Sequence, residues 1–182
     1  VLQTQDHPMF KSYPEELKWL TTDDTRTTWI AKTISDIATS GNTLILVDRI
    51  SAGETLNRKI KNSVFISGAT KNIERKEHYD EVSTAETKII IATYGVASIG
   101  INIPRIFNLV LIEAGKSFVR VIQSIGRGIR KAEDKDHVQI WDITSSCKFA
   151  KRHLTQRKKF YKEANYPFKI EKIDYENPYI RK

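Results

Sequence analysis

The sequence predicts an α/β fold, a doubly wound and mainly parallel sheet with helices on both faces, from three observations. Short continuous apolar runs recur along the chain, stretches of helical length separate them, and the strand, helix, strand order repeats five times. With 182 residues, 40% of them apolar and 29% charged, the chain suits one globular domain with a real core. Those proportions exclude collagenous, low-complexity and wholly disordered classes.

In order along the chain, Thr22 and Asp23 form a helix N-cap ahead of the periodic Trp29, Ile30, Ile34 and Ile37, and Gly41 stops that helix. Residues 43–48 follow as the first strand of this alternation, a continuous apolar run suited to a parallel strand buried on both faces. Runs at 63–66, 88–93, 107–112 and 137–143 repeat the signal, and helices are expected at about 52–61, 71–85, 117–130 and 147–163. Right-handed crossovers then place ligands at the carboxyl ends of the strands, after Val47, Ile66, Thr93 and Ile112. Residues 1–22, with Pro8, Pro14 and a cluster of Tyr13, Leu17, Trp19 and Leu20, are expected as an incoming interdomain connection. Residues 23–165 form the domain proper, and 166–182 a tail that packs on it, either as an edge strand or across the sheet.

No apolar run is long enough to span a bilayer, and Val1-Leu-Gln-Thr-Gln resembles neither a signal peptide nor a natural start. A soluble, cytoplasmic chain cut from something longer is expected, without membrane partners. The single Cys147 reads as a buried structural thiol, and no metal-ligand spacing occurs. The net charge of +8 is concentrated: residues 148–172 carry nine Lys/Arg against two Asp/Glu. Phe149, Leu154, Phe160 and Tyr161 punctuate those charges at helical spacing, which makes an amphipathic basic helix. Its cations, Lys151, Arg152 and Lys158 among them, belong either to a solvated outer face or to a surface that grips nucleic-acid phosphates.

Ala114-Gly-Lys-Ser117 imitates a phosphate-binding loop, but the first glycine of such a loop would fall on Val110, inside a strand. No other stretch offers that motif, and apart from the lone Glu113 no apolar strand ends in carboxylates that could hold Mg²⁺. The complementary parts are present. A helix-forming run from Phe118 leads to Gly126-Arg127-Gly128-Ile-Arg130, with two arginines three apart and Gln123 one turn before them. On one helical face, both guanidinium forks could reach a single polyphosphate, as arginine fingers do.

Gln123-x-x-Gly126-Arg127-x-x-Arg130 resembles motif VI of the superfamily-two helicases, and the run from Ala92 and Thr93 through Gly100 and Asn102 to Pro104 resembles their motif V. Residues 44–49 are similar to motif IV, and Ile66-Ser-Gly68 followed by Arg75 to the glycine-containing motif of the next strand. The four motifs span about half the chain, and within the superfamily the likeness is to the recombination helicases of T-even phages. The resemblance implies the second, RecA-like lobe of an ATP-dependent DNA helicase or translocase. Arg127, Arg130 and Gln123 would be catalytic, while Gly100, Asn102 and Gly126 would lie against the nucleotide. Thr93, Gly68, Arg49 and Arg75 would join the basic helix in contacting nucleic acid. ATP and Mg²⁺ would be held mainly by an N-terminal RecA-like lobe of the same protein. The partners implied are single-stranded or branched DNA and the RNA–DNA hybrid of R-loops, in recombination, repair and replication within the cytoplasm of an infected bacterium. Many relatives carry Asp at the position of Asn102, and Ser124 takes no assigned role. The rivals are a catalytically dead nucleic-acid-binding module of the same fold and a nucleotide-binding regulatory domain; retention of both arginines with Gln123 argues against the former.

Overall fold

The computed structural model describes residues 1–82, 84–98, 103–115, 118–119, 121–123, 129–130 and 137–176. Its strands are β1 (Leu2–Thr4), β2 (Thr43–Val47), β3 (Ser63–Ile66), β4 (Ile89–Thr93), β5 (Ile103–Pro104), β6 (Asn108–Ile112), β7 (Ile129–Arg130), β8 (Gln139–Ser145) and β9 (Glu171–Ile173). The helices are α1 (Tyr13–Thr22), α2 (Asp24–Ala38), α3 (Ile50–Lys59), α4 (Asn72–Val82), α5 (Tyr94–Ser98) and α6 (Lys148–Glu163). Residues 118, 119 and 121–123 are also helical.

Seven strands form one sheet in the order β3-β4-β2-β6-β8-β1-β9, and all of its pairings are parallel. Alternation along the central strands divides the core into two layers. Leu44, Leu46, Ile90, Ala92, Leu109 and Leu111 face one layer, closed by Val82 of α4, Val96 of α5, Phe118, Val121 and Tyr161 of α6. Ile45, Val47, Ile89, Ile91, Val110 and Ile112 face the other, closed by Ile30, Ile34 and Ile37 of α2 and Leu56 of α3. Completely buried side chains such as Ile34, Leu44, Ile45 and Ile91 each stabilise the fold by about 1.5–3 kcal/mol. Both faces of the sheet are therefore covered, as the continuous apolar runs require.

Local chemistry sets the boundaries. Asp23 caps α2 by accepting from the Arg26 amide at 3.0 Å. Gly41, at φ +156°, lies where a Cβ would meet the Phe107 ring at 2.8 Å. Asn42 binds the adjoining loops together: its amide donates to the carbonyls of Val82, Ala85 and Arg105, and its oxygen accepts from the Lys88 amide.

The structure departs from the sequence reading in two places, and the tail takes one of its two expected forms. The segment 1–22 contributes β1, which pairs with β8 on one side and β9 on the other, so this short strand lies inside the sheet. The tail takes the edge-strand form as β9. The helix expected over 117–130 does not continue to its end: Ile129 and Arg130 form β7, paired with Ile103 and Pro104 of β5. A two-residue bridge closes backbone hydrogen bonds that apolar periodicity cannot register. Arg130 is therefore on a strand, and Arg127 lies outside the described residues.

Candidate functional site

The chain leaves β2 towards β3 through α3 on one face of the sheet, and between β6 and β8 the helical residues 118, 119 and 121–123 lie on the other. The crevice at the carboxyl ends of β2 and β6 is thus the topological switch point, where open α/β sheets collect ligands. Asp48 and Arg49 follow β2 there, and Glu113, Ala114 and Gly115 follow β6.

Three of the residues expected to touch nucleic acid are brought to one end of the sheet. Val47 is in register with Thr93, and Ile66 with Ala92, so Arg49, Thr93 and Gly68 follow or end three neighbouring strands. The Thr93 hydroxyl accepts from the Val96 amide at 3.3 Å and so caps the first turn of α5. A Cβ at Gly68 would meet nothing within 4 Å, which leaves its backbone open to an approaching ligand. Arg75 donates to the carbonyls of Ser67 at 2.9 Å and Gly68 at 3.1 Å, so this guanidinium holds the loop. Gln123 is exposed on the helical segment. Gly100, Asn102, Gly126 and Arg127 lie outside the described residues.

Two buried ionic groups fix this end of the sheet. Arg26, fully buried on α2, donates to the Glu113 carboxylate, to Leu20 O at 2.7 Å, to Thr144 O at 3.2 Å and to Thr4 Oγ1 at 3.1 Å. Asp6 lies 3.6 Å from the same guanidinium and accepts from Ser145, Thr4 and Tyr175. Burial raises the Glu113 pKa, and the Arg26 charge opposes the rise. Glu113 is thus a sealed structural partner, and among the described residues no group of His, Cys, Asp and Glu could hold a metal ion.

The second group is Arg157 with Asp142, a two-pronged pair at 2.7 and 3.0 Å. Tyr161 donates to the same carboxylate at 2.6 Å, and Arg157 also donates to Ala114 O at 2.5 Å. One arginine of the basic segment is therefore turned inward and braces the loop after β6. Val110 is buried inside β6 opposite Ile45 and Trp141, where a phosphate-binding loop would need its first glycine, so no such loop begins there.

The amino terminus of α6 is capped from outside. Cys147 makes no side-chain cap, and the buried Glu16 of α1 accepts from the Phe149 amide at 2.9 Å and the Ala150 amide at 2.7 Å. Cys147 itself is buried, and desolvation pushes its thiol up to about 11. Lys151 and Arg152 are exposed on α6, and Lys158 is partly exposed.

Between α1, α6 and the switch point lies a cavity of about 550 Å³, lined by Tyr13, Asp48, Tyr94, Phe149, Arg152 and His153 among others. In the sequence Tyr13 belongs to the cluster of the incoming connection and Phe149 to the apolar spacing of the basic helix. Only the placement of an aromatic among cations at Phe149 pointed to this cavity, because its two walls are far apart along the chain.

The helicase conserved C-terminal domain matches residues 26–132. The chain belongs to that family. It is 31% identical over 164 residues to the ATP-dependent DNA helicase uvsW of Enterobacteria phage T4, a match over 87% of this chain and 32% of the phage protein. The crystal structure of T4 UvsW superimposes with a TM-score of 0.81 at 23% identity, covering 96% of this chain and 40% of that one. The C-terminal domain of the DEAD-box protein Dbp5 follows the same fold at a TM-score of 0.61 and 18% identity, covering 96% of this chain and 90% of that domain. The chain thus spans about a third of the curated phage relative, as the C-terminal lobe of a UvsW-like helicase. No helix among the described residues is long and apolar enough to cross a membrane.

Proposed function

We propose that this chain is the second motor lobe of an ATP-dependent DNA helicase or translocase that acts on branched DNA or R-loop intermediates in recombination, repair and replication. The observation that supports the reading most is the family match over residues 26–132, which takes in Thr93, Gln123, Arg127 and Arg130. The DNA substrate rests on the likeness to the phage T4 protein, whose name gives it as a DNA helicase.

In this reading, Arg127 and Arg130 bring positive charge to the γ-phosphate of ATP held with Mg²⁺ by a preceding lobe, and Gln123 bridges the two lobes. Gly100, Asn102 and Gly126 lie against the nucleotide. Phosphoryl transfer asks little covalent chemistry of the protein and depends on charge stabilisation, for which an arginine finger is worth on the order of 10³–10⁵ in rate. Arg49, Gly68 and Thr93 grip the strand backbone at one end of the sheet, so lobe closure moves that grip relative to the first lobe. The Glu113 network and the bracing by Arg157 keep this end rigid while the lobes close.

Arg130→Ala in the full-length protein tests this. Strand displacement on a forked DNA is expected to fall by at least about a thousandfold, with DNA affinity by fluorescence anisotropy nearly unchanged. Unwinding at the wild-type rate, or loss of DNA binding in place of unwinding, contradicts the assignment.

A further inference from the structure

We propose that the cavity at the switch point between β2 and β6 is a stacking site for one unpaired nucleobase of a nucleic-acid strand. The inference rests on reading the chain as a nucleic-acid motor lobe and adds a base contact to its backbone grip.

The walls are aromatic. Tyr13 and His153 meet edge to face, with centroids 4.8 Å apart at 80°, and Phe149 stands 6.3 Å from Tyr13. The Phe149 ring carries Arg152 Cζ at 5.7 Å and Lys148 Nζ at 5.5 Å. Aromatic faces beside a positive groove are what sequence-tolerant binding of single strands uses, because every base has a π-face. About 550 Å³ is ample for a base and its sugar.

Asp48 and Arg152 both line the cavity, and desolvation, with Asp48 and Glu113 adding to it and Arg49 opposing it, pushes the Tyr13 phenol up to about 12, so the wall presents a neutral ring. An uncharged base can donate an N–H to the Asp48 carboxylate, which would repel a phosphate at that wall. The cations stand on α6, where Lys148, Lys151 and Arg152 are exposed to the phosphates that flank an inserted base. Glu16 anchors α6 to α1 through two amides, which fixes the two aromatic walls relative to each other before any ligand arrives.

The test compares two fluorescein-labelled oligonucleotides of equal length, one of thymidines and one of abasic sugar-phosphates, binding to the full-length protein. Wild type is expected to prefer the base-bearing strand. Phe149→Leu should cut that preference by about tenfold by weakening only the base-bearing complex, and Phe149→Tyr should keep it. Arg152→Gln should weaken both complexes. Gly115→Val keeps the walls but fills the cavity, its Cβ 3.3 Å from the Tyr13 hydroxyl, and should give the same selective loss as Phe149→Leu. Thermal melting checks that each variant folds. An unchanged preference in both Phe149→Leu and Gly115→Val overturns the site, as does equal binding of the two strands by wild type. Weakened ATP binding in Phe149→Leu with the strand preference intact also overturns it, in favour of a free nucleotide. If wild type still hydrolyses ATP on DNA, such results sink this inference alone; no binding of either strand sinks the motor reading with it.

Discussion

Asp142 and Arg157 show how much of this molecule depends on charges placed inside it. Each is 2% exposed and satisfies the other, so removing one leaves an uncompensated ion. Asp142→Ala is expected to cost about 3–5 kcal/mol by urea unfolding, and a loss below about 1 kcal/mol contradicts the pairing. Glu113 gives a pH signature. Its pKa is raised above 4.5, so the folded chain binds this proton more tightly than the unfolded chain. The associated stability is present below pH 4.5 and is lost as pH rises through the folded value. Relative to Glu113→Gln, wild type should lose stability across that window, and a difference flat with pH speaks against the sealed carboxyl. Cys147 should resist alkylation at pH 8 in the native protein and react once unfolded, since its thiol titrates at about 11. None of these buried charges was legible beforehand. Arg26 meets Glu113 across 87 positions, and sequence spacing carries no trace of such a pairing.

At the scale of elements, what could be read was what periodicity encodes. The strand at 63–66 was read without error, and those of β2, β4 and β6 to within a residue, because each is a continuous apolar run between polar ends. Asp23 and Gly41 bounded α2 through local chemistry. β1 and the β5–β7 bridge escaped because two or three residues cannot show a period and are held by partners far along the chain, while β9 was one of two forms left open for the tail. The cap of α6 escaped for the same reason, since Glu16 reaches it across more than 130 positions. Glu16→Ala should destabilise the fold by about 1–2 kcal/mol and should also weaken the base-bearing oligonucleotide more than the abasic one, by loosening the cavity walls. Equal weakening of the two would separate the cap from the cavity.

For the whole molecule, the parallel sheet brings Arg49, Gly68 and Thr93 to one end, beside the switch point between β2 and β6. Arg157 braces the segment ahead of Gly115 through Ala114 O, and Val110 stands inside β6 where a phosphate-binding loop would need its first glycine. The family of the lobe was legible from its motifs; the cavity was not, because it is built from α1 and α6 together. The most direct measurement is ATP hydrolysis with DNA present, by the isolated 182 residues and by the full-length protein. Turnover confined to the full-length protein is the predicted result, and robust DNA-stimulated hydrolysis by the isolated chain would contradict the two-lobe account.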